Sequence, residues 1–400
     1  MDLLLTNARL QDGRTGMAIA CAAGRIAALL PPGAPLPPAA ATHDLGGELV
    51  LPGLVDGHMH LDKTTLGLPW MPHQAGPTRL SRIETDARVL PGLPLDTEAR
   101  ATAMIRRVVP FGTAYIRSHC DVTPAFGLTA LEGTLAARQA HRHMVHVETV
   151  AFPQAGIIRA PGTLELLDAA LRAGADLVGG LDPCEVDRDA KGHLDAVFGL
   201  AEKHGKGIDI HLHEAGELGL FSLQEFCART VAHGLQGRAT ISHGFCLGGI
   251  AESKQQAAAA LMAESGVALA THGAGGASLP PLGLLRAAGV RILCGHDNLR
   301  DTWGPYGSGD MLERAAIIGW RADWRTDEML LAMLAMVTVE GARAVGAGET
   351  GIGAGMPANF FSVQAENGQE AIAQHPGRGW WCLGEPYLVL TKQVDKSTKS

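Results

Sequence analysis

Four short stretches of this chain collect the side chains that could do chemistry. The first is Leu51-Pro-Gly-Leu-Val-Asp-Gly-His58-Met59-His60, an apolar run that ends in two histidines. On a strand, side chains two apart face the same way. Two imidazoles at the end of an apolar run are costly to bury unless something binds them. A divalent metal is the economical binder, because neutral imidazole is a common ligand for it; two polar residues closing a strand is the plainer alternative. Ile208-Asp-Ile-His211-Leu-His213-Glu214, Thr240-Ile-Ser-His243 and Leu293-Cys-Gly-His296-Asp297-Asn298 repeat the pattern. Any one of these histidines reads equally well as a hydrogen-bonded structural residue. Four apolar runs that all end in His, Glu or Asp are hard to explain by core packing, and they point to ligands and proton carriers gathered at strand ends.

The elements that must position them follow from periodicity. Candidate strands cover 49–58, 113–121, 145–152, 175–181, 207–213, 239–245, 266–271 and 290–296. Between them lie amphipathic candidates over Thr163–Arg172, Leu194–His204, Leu223–His233, Gln255–Ser265 and Leu282–Ala288, several of them followed by a glycine suited to a helix C-terminus. Strands alternating with helices imply parallel βα units, and eight is the number that closes a (β/α)8 TIM barrel, with function collected at the C-terminal ends of its strands. Asp62 to about Asp96 is rich in Pro and Gly with little periodicity, and is expected to form a lid over the barrel mouth. Residues 1–51 and 346–400 read as short strands and turns (Leu3–Leu5, Ile19–Ala23, Arg25–Leu30, then Gly351–Gly355, Asn359–Val363, Gly379–Cys382 and Tyr387–Leu390) that form one small β-sandwich beside a barrel of 52–345. The tail Thr391–Ser400 is polar and expected to fray.

Bulk properties narrow the class. The chain is 400 residues long, 46% hydrophobic and 18% charged, with net charge −8 and no basic block, so a large core is affordable and nucleic-acid binding is disfavoured. Seven scattered cysteines without Cys-x-x-Cys spacing suit reduced thiols in a cytoplasm. No cationic leader followed by a long apolar run opens the chain, and no uninterrupted apolar stretch of about 18 residues follows. A cytoplasmic protein with no membrane partner is expected.

The strand-end motifs together resemble the amidohydrolase superfamily. Ala151-Phe-Pro-Gln154-Ala-Gly156, His211-x-x-Glu214 and Gly295-His-Asp297 are similar to its cytosine-deaminase-like branch. His60-Leu-Asp-Lys63, Asp176-Leu-Val-Gly-Gly-Leu-Asp182-Pro and Asp297-Asn-Leu-Arg-Asp301-x-Trp303 also resemble the N-isopropylammelide isopropylaminohydrolases of that branch. The resemblance implies one divalent metal ion, zinc or iron, on His58, His60, His211 and Asp297, with residual positive charge that lowers the pKa of a bound water to about 7. It gives Asp297 and His243 a share of that water's proton, and gives Glu214 the shuttle from water to ring nitrogen and leaving amine. Gln154, Trp303, Lys63, Asp182 and His213 are the implied substrate contacts. Their plainer readings are a capping amide for Gln154, loop packing for Trp303, a surface lysine for Lys63, and for His213 a partner to another site residue; His119 and Asp121 could support the ligands from behind. Dinuclear relatives carry a carboxylated lysine on the fourth barrel strand. Here no lysine lies between Lys63 and Lys191, so a single metal is expected. Asn298 matches the triazine enzymes and Glu214 the cytosine deaminases, which leaves the chain between the two.

The function implied is hydrolytic removal of an exocyclic amine from a small nitrogen heterocycle. Hydrolysis of a cyclic amide or amidine, or of an N-alkylamino-triazine, is the alternative, and a non-catalytic binding homologue the remote one. Barrels of this branch are often homo-oligomers.

Overall fold

The computed structural model describes residues 1–73, 75–273, 275–383 and 388–391. Five strands open the chain: β1 (Leu3–Leu10), β2 (Met17–Ala22), β3 (Arg25–Leu30), β4 (Ala41–Asp44) and β5 (Leu49–Pro52). Eight follow: β6 (Leu54–Met59), β7 (Thr113–Asp121), β8 (His146–Phe152), β9 (Leu177–Leu181), β10 (Gly207–Leu212), β11 (Ala239–His243), β12 (Val267–Thr271) and β13 (Ile292–Cys294). The chain then returns with β14 (Phe360–Val363), β15 (Arg378–Leu383) and β16 (Leu388–Thr391).

Strands β6 to β13 pair in sequence order, all parallel, with helices between them. They are buried on both faces, which is why they read as apolar runs rather than alternating ones. Several of the polar residues in them meet across the barrel. On β10, Ile208, Ile210 and Leu212 join the apolar core, while Asp209 meets Arg117 of β7 and Ser242 of β11 across the barrel. The barrel closes where β13 meets β6: the Asp297 N–H donates to the His58 carbonyl at 2.8 Å, and Met59 bridges Asp297. Gly295 makes this seam. A Cβ there would lie 2.4 Å from the His58 carbonyl oxygen and 2.5 Å from its nitrogen.

The terminal strands form the second layer as a β-sandwich. The hydrogen-bonded order is β16-β15-β14-β5-β1-β2-β3, with β4 also on β1. β1 belongs to both halves: residues 3–6 pair with β4 and residues 9–10 with β5, and the register breaks between Leu5 and Ala8. Leu3, Leu5, Ile19, Ile26, Val50 and Phe360 fill the space between the halves.

Three expectations need correction. The 62–96 connection is not structureless, since it carries a helix, α1 (Arg79–Val89), started by a reciprocal Thr78/Ser81 capping box. Its signal lay in caps rather than in apolar period, because α1 is mostly polar and buries only Thr85 and Asp86. Gly351–Gly355 is a turn, not a strand: Gly351 and Gly355 hold positive φ, and the segment touches β3 through Gly355 and Met356 alone. A short helix, Gly368–Gln374, capped by Asn367, went unanticipated. Of the last expected strand, Leu388–Thr391 is observed, whereas Tyr387 and residues 392–400 lie outside the described residues. Among the described residues no helix is long and apolar enough to cross a membrane, and the seven cysteines are all free.

Because backbone cannot retreat from a new methyl at Gly295, Gly295→Ala should destabilise the protein by roughly 2–3 kcal/mol. Chemical denaturation is the measurement, and an unshifted midpoint would show that β6 and β13 are not held at this seam.

Candidate metal centre and active site

His58 ends β6, His211 sits near the end of β10, His243 ends β11 and Asp297 follows β13. One ligand atom from each lies within 4.8 Å of those of the other three. His60 joins through Asp297: its Nε2 is 3.2 Å from Asp297 Oδ1, and His58 Nε2 is 3.4 Å from the same oxygen. Of the four expected ligands, His58, His211 and Asp297 meet in this cluster together with His243, and His60 reaches it through Asp297.

Hydrogen bonding fixes which atom His58 presents. Ser242 Oγ donates its one O–H to Asp209 Oδ1 at 2.6 Å, so it must accept from His58 Nδ1–H at 2.9 Å. The lone pair of His58 is then on Nε2, facing a carboxylate oxygen with no proton between them. Two acceptors opposed at that distance, both buried, call for a cation. His60 Nδ1, both nitrogens of His211 and His243 Nε2 also lack a hydrogen-bond partner. Burial, then the Lys63 cation, pushes the His60 pKa down to about 3. Burial and neighbouring imidazoles hold His211 and His243 well below the usual histidine range. Burial works against ionising Asp297, but the surrounding imidazoles, His272 first, keep its carboxyl well below the usual range. Neutral imidazoles around one carboxylate are the donor set a divalent ion needs.

The ligands are held from behind. Arg117 binds Asp209 Oδ2 at 2.9 Å and Glu148 at 2.7 Å, which steadies the Asp209–Ser242–His58 chain. Asp56, on β6, takes the His296 ring Nδ1 at 2.6 Å and the His296 N–H at 3.1 Å, fixing the residue next to Asp297. Asp182, His243 and Asp297, at or just past the ends of β9, β11 and β13, all adopt positive φ (36°, 75° and 61°). Such strain costs about 1–3 kcal/mol per residue and collects where function requires it.

A second group of side chains lies nearby. Lys63 is 1% exposed, which removes the surface reading; its Nζ meets Gln154 Oε1 at 2.9 Å, Asp121 Oδ1 at 3.0 Å and Asp86 Oδ2 at 3.4 Å. Burial opposes the charge on Lys63, yet the carboxylates of Asp121, Asp86 and Asp62 outweigh it and raise its pKa. Because Gln154 Oε1 is taken by an ammonium, its NH2 is the end left to donate. The Trp303 indole lies 5.5 Å from Lys63 Nζ and donates its N–H to Asp86 at 2.7 Å. His119, behind the ligands, packs 4.2 Å from the His58 ring.

Two residues named from the sequence have their carboxylate oxygens bonded to neighbours. Asp182 offers no free oxygen to a substrate: Oδ1 accepts from the His213 and Glu214 N–H groups, and Oδ2 takes His213 Nδ1 at 2.8 Å and Arg79 at 3.1 Å. It orients His213, whose ring stacks on His243 at 4.3 Å. Glu214 is buried with both oxygens engaged, Oε1 by the Cys184 and Glu185 N–H groups at 2.7 and 2.9 Å and Oε2 by the Ser222 hydroxyl. These bonds join Glu214 to the turn after β9, and none of its partners belongs to the ligand cluster. Two contributors escaped the sequence reading. His272, just past β12, lies 3.4 Å from Asp297 Oδ2 and 3.1 Å from His243, and the sequence Thr271-His272 at a strand end was the available signal. Asp86, in the middle of a polar helix, had none.

With this geometry in view, comparison with known proteins is informative. The model of the amidohydrolase family matches residues 41–370. N-isopropylammelide isopropyl amidohydrolase from Pseudomonas sp. (strain ADP) is 32% identical over 346 residues, 84% of each chain. The uncharacterized protein YahJ of Escherichia coli (strain K12) is 38% identical over 300 residues, 73% of this chain and 64% of that longer one. Among solved structures, N-isopropylammelide isopropylaminohydrolase from Burkholderia multivorans superposes with a TM-score of 0.92 at 41% identity, covering 96% of this chain and 97% of its own. The 5-methylcytosine deaminase from Klebsiella pneumoniae liganded with 5-fluorocytosine gives 0.86 at 25% identity, with 98% of both chains covered. Strand-end histidines, barrel, terminal sandwich and matched length agree: the chain belongs to the amidohydrolase family, with cytosine-deaminase-like relatives.

Proposed function

We propose that this protein is a metal-dependent aminohydrolase of a small planar nitrogen heterocycle. Water adds to a ring carbon bearing an exocyclic amine, and ammonia or an alkylamine leaves with the ring intact. The observation that carries this reading is the meeting of His58 Nε2 and Asp297 Oδ1 as opposed acceptors, with His60 Nε2 on the same oxygen and His211 beside them. These four residues would hold one divalent ion, zinc or ferrous iron, both of which suit imidazole and carboxylate. When bound, the ion supplies a Lewis acid that brings the pKa of water down toward 7. β9, the fourth barrel strand, reads Leu-Val-Gly-Gly-Leu and carries no lysine that could bridge a second ion.

The protein's own groups divide the remaining work. Asp297, flanked by His58, His60 and His272, is placed to take the proton of the attacking water. His243, with Nε2 unpartnered and Nδ1 against His272, holds the water and shares that proton. His213 is the group that can deliver a proton to the ring nitrogen and then to the departing amine. Asp182 holds its Nδ1 and leaves Nε2 as the working atom, the arrangement by which a carboxylate–histidine pair serves as acid and base. The Gln154 NH2 suits a ring carbonyl, Trp303 offers a flat face, and Lys63 fixes Gln154. The names of the relatives, an isopropylammelide hydrolase and a methylcytosine deaminase, support a ring-borne amine as leaving group.

Four outcomes test this. Metal-loaded protein assayed against aminopyrimidines, aminotriazines and pterins should release ammonia or amine and leave the ring closed; an opened ring would instead make it a cyclic amide hydrolase. His211→Ala should leave well under one equivalent of bound metal by elemental analysis and lower kcat/KM at least 10³-fold, since the site loses a ligand. His213→Asn should lower kcat by about 10²–10⁴-fold, the usual worth of a positioned acid–base group. Glu214→Gln, which keeps an acceptor for both backbone N–H groups, should cost less than about tenfold in the same assay. The reverse ranking would return the proton shuttle to Glu214.

A further inference from the structure

Helix α1 touches the site at three places, all from one face. Arg79, Arg82 and Asp86 are spaced three and four apart and so share a side of the helix. Arg79 Nη1 lies 3.1 Å from Asp182 Oδ2, the oxygen that also holds His213, and 2.6 Å from Glu185. The Arg82 guanidinium lies 5.8 Å from the centre of the Trp303 ring. Asp86 is 1% exposed, although the helix around it is polar and solvated. Its Oδ2 accepts from Trp303 Nε1 at 2.7 Å and faces Lys63 Nζ at 3.4 Å, and its Oδ1 accepts from the Thr302 hydroxyl. Burying a carboxylate on a surface helix is expensive unless its partners are charged or donate to it. Here every partner is either a side chain assigned to substrate or the residue next to one.

We propose that the Arg79–Arg82–Asp86 face of α1 is a latch that sets Asp182–His213, Trp303 and Lys63, so that the substrate site is assembled only when this helix is seated. The proposal rests on the reading above for what those residues do, and adds that residues of the connection after β6 position them. Asp86 is the centre of the latch. It is the one α1 residue that holds two of these side chains through a single oxygen, and through Lys63 it reaches the amide of Gln154. Seating α1 therefore places the ring-stacking face and the amide donor together. Arg79 acts on the other side of the site, where it helps to hold the carboxylate that orients His213. None of the three touches the ligand cluster, so metal content is expected to be independent of the latch.

The test uses the full metal-loaded chain. Asp86→Asn should keep one equivalent of metal, raise KM at least tenfold and lower kcat less than it raises KM. In a Lys63→Met background the same change should raise KM less than it does in the parent, because part of its effect passes through that lysine. Independently of any substrate, trypsin should cut at Arg79, Arg82 and Arg88 at least tenfold faster in Asp86→Asn than in the parent. Arg79→Gln serves if Asp86→Asn does not fold, and should lower kcat while leaving metal content unchanged. Parental KM together with a parental cleavage rate would overturn the latch, as would full additivity with Lys63→Met. Faster cleavage with no turnover of any heterocycle by the parent would leave the latch standing and count against the aminohydrolase reading instead.

Discussion

The structure depends on a deliberate electrostatic conflict. Ser242 spends its only proton on Asp209, which obliges His58 to turn a lone pair toward Asp297. His60 approaches the same oxygen. Without a cation these groups repel or must take up protons, and burial drives the imidazoles toward the neutral form. The barrel is built to hold the conflict in place. Parallel pairing fixes the height of each strand end, the glycine seam brings β13 against β6, and strained backbone at Asp182, His243 and Asp297 aims the last side chains inward.

Around that centre the molecule uses buried charge for orientation. Arg117 with Asp209 and Glu148, Lys63 with Asp86 and Asp121, and His213 with Asp182 are all removed from water. Such pairs contribute little net stability, because desolvation offsets most of the attraction. What they provide is direction, since a charged partner on each side leaves a ring or an amide one orientation. This explains why Lys63 and Asp182 resemble substrate residues in sequence yet have their polar atoms committed to neighbours. Lys63 is bonded to Gln154 and Asp182 to His213.

Much of the barrel and of the ligand set was legible from the order of residues alone. Seven of the eight barrel strands fall where the apolar runs predicted, while the first expected run, 49–58, divides at Gly53 into β5 of the sandwich and β6 of the barrel; a strand buried on both faces has little option but to be apolar. A histidine at the end of such a run is conspicuous for the same reason, which is why His58, His60, His211, His243 and Asp297 could be named in advance. His272 was equally visible in form, but Thr271-His272 lacks the repeated motif around it. Helix α1 and the turn at Gly351–Gly355 were misread because capping and backbone dihedrals, not hydrophobic period, decide them.

Residue type and spacing were enough by themselves to determine that histidine and aspartate side chains stand at the C-terminal ends of parallel strands, because alternation along a strand is a local property of the backbone. Which atoms of those side chains are free was decided by tertiary structure alone. Glu214 and His213 are neighbours in the chain and equal candidates by chemistry. The Cys184–Glu185 turn and Ser222 occupy one, while Asp182 prepares the other. These hydrogen-bond partners are drawn from distant elements, and their approach is a matter of packing, which no local pattern encodes.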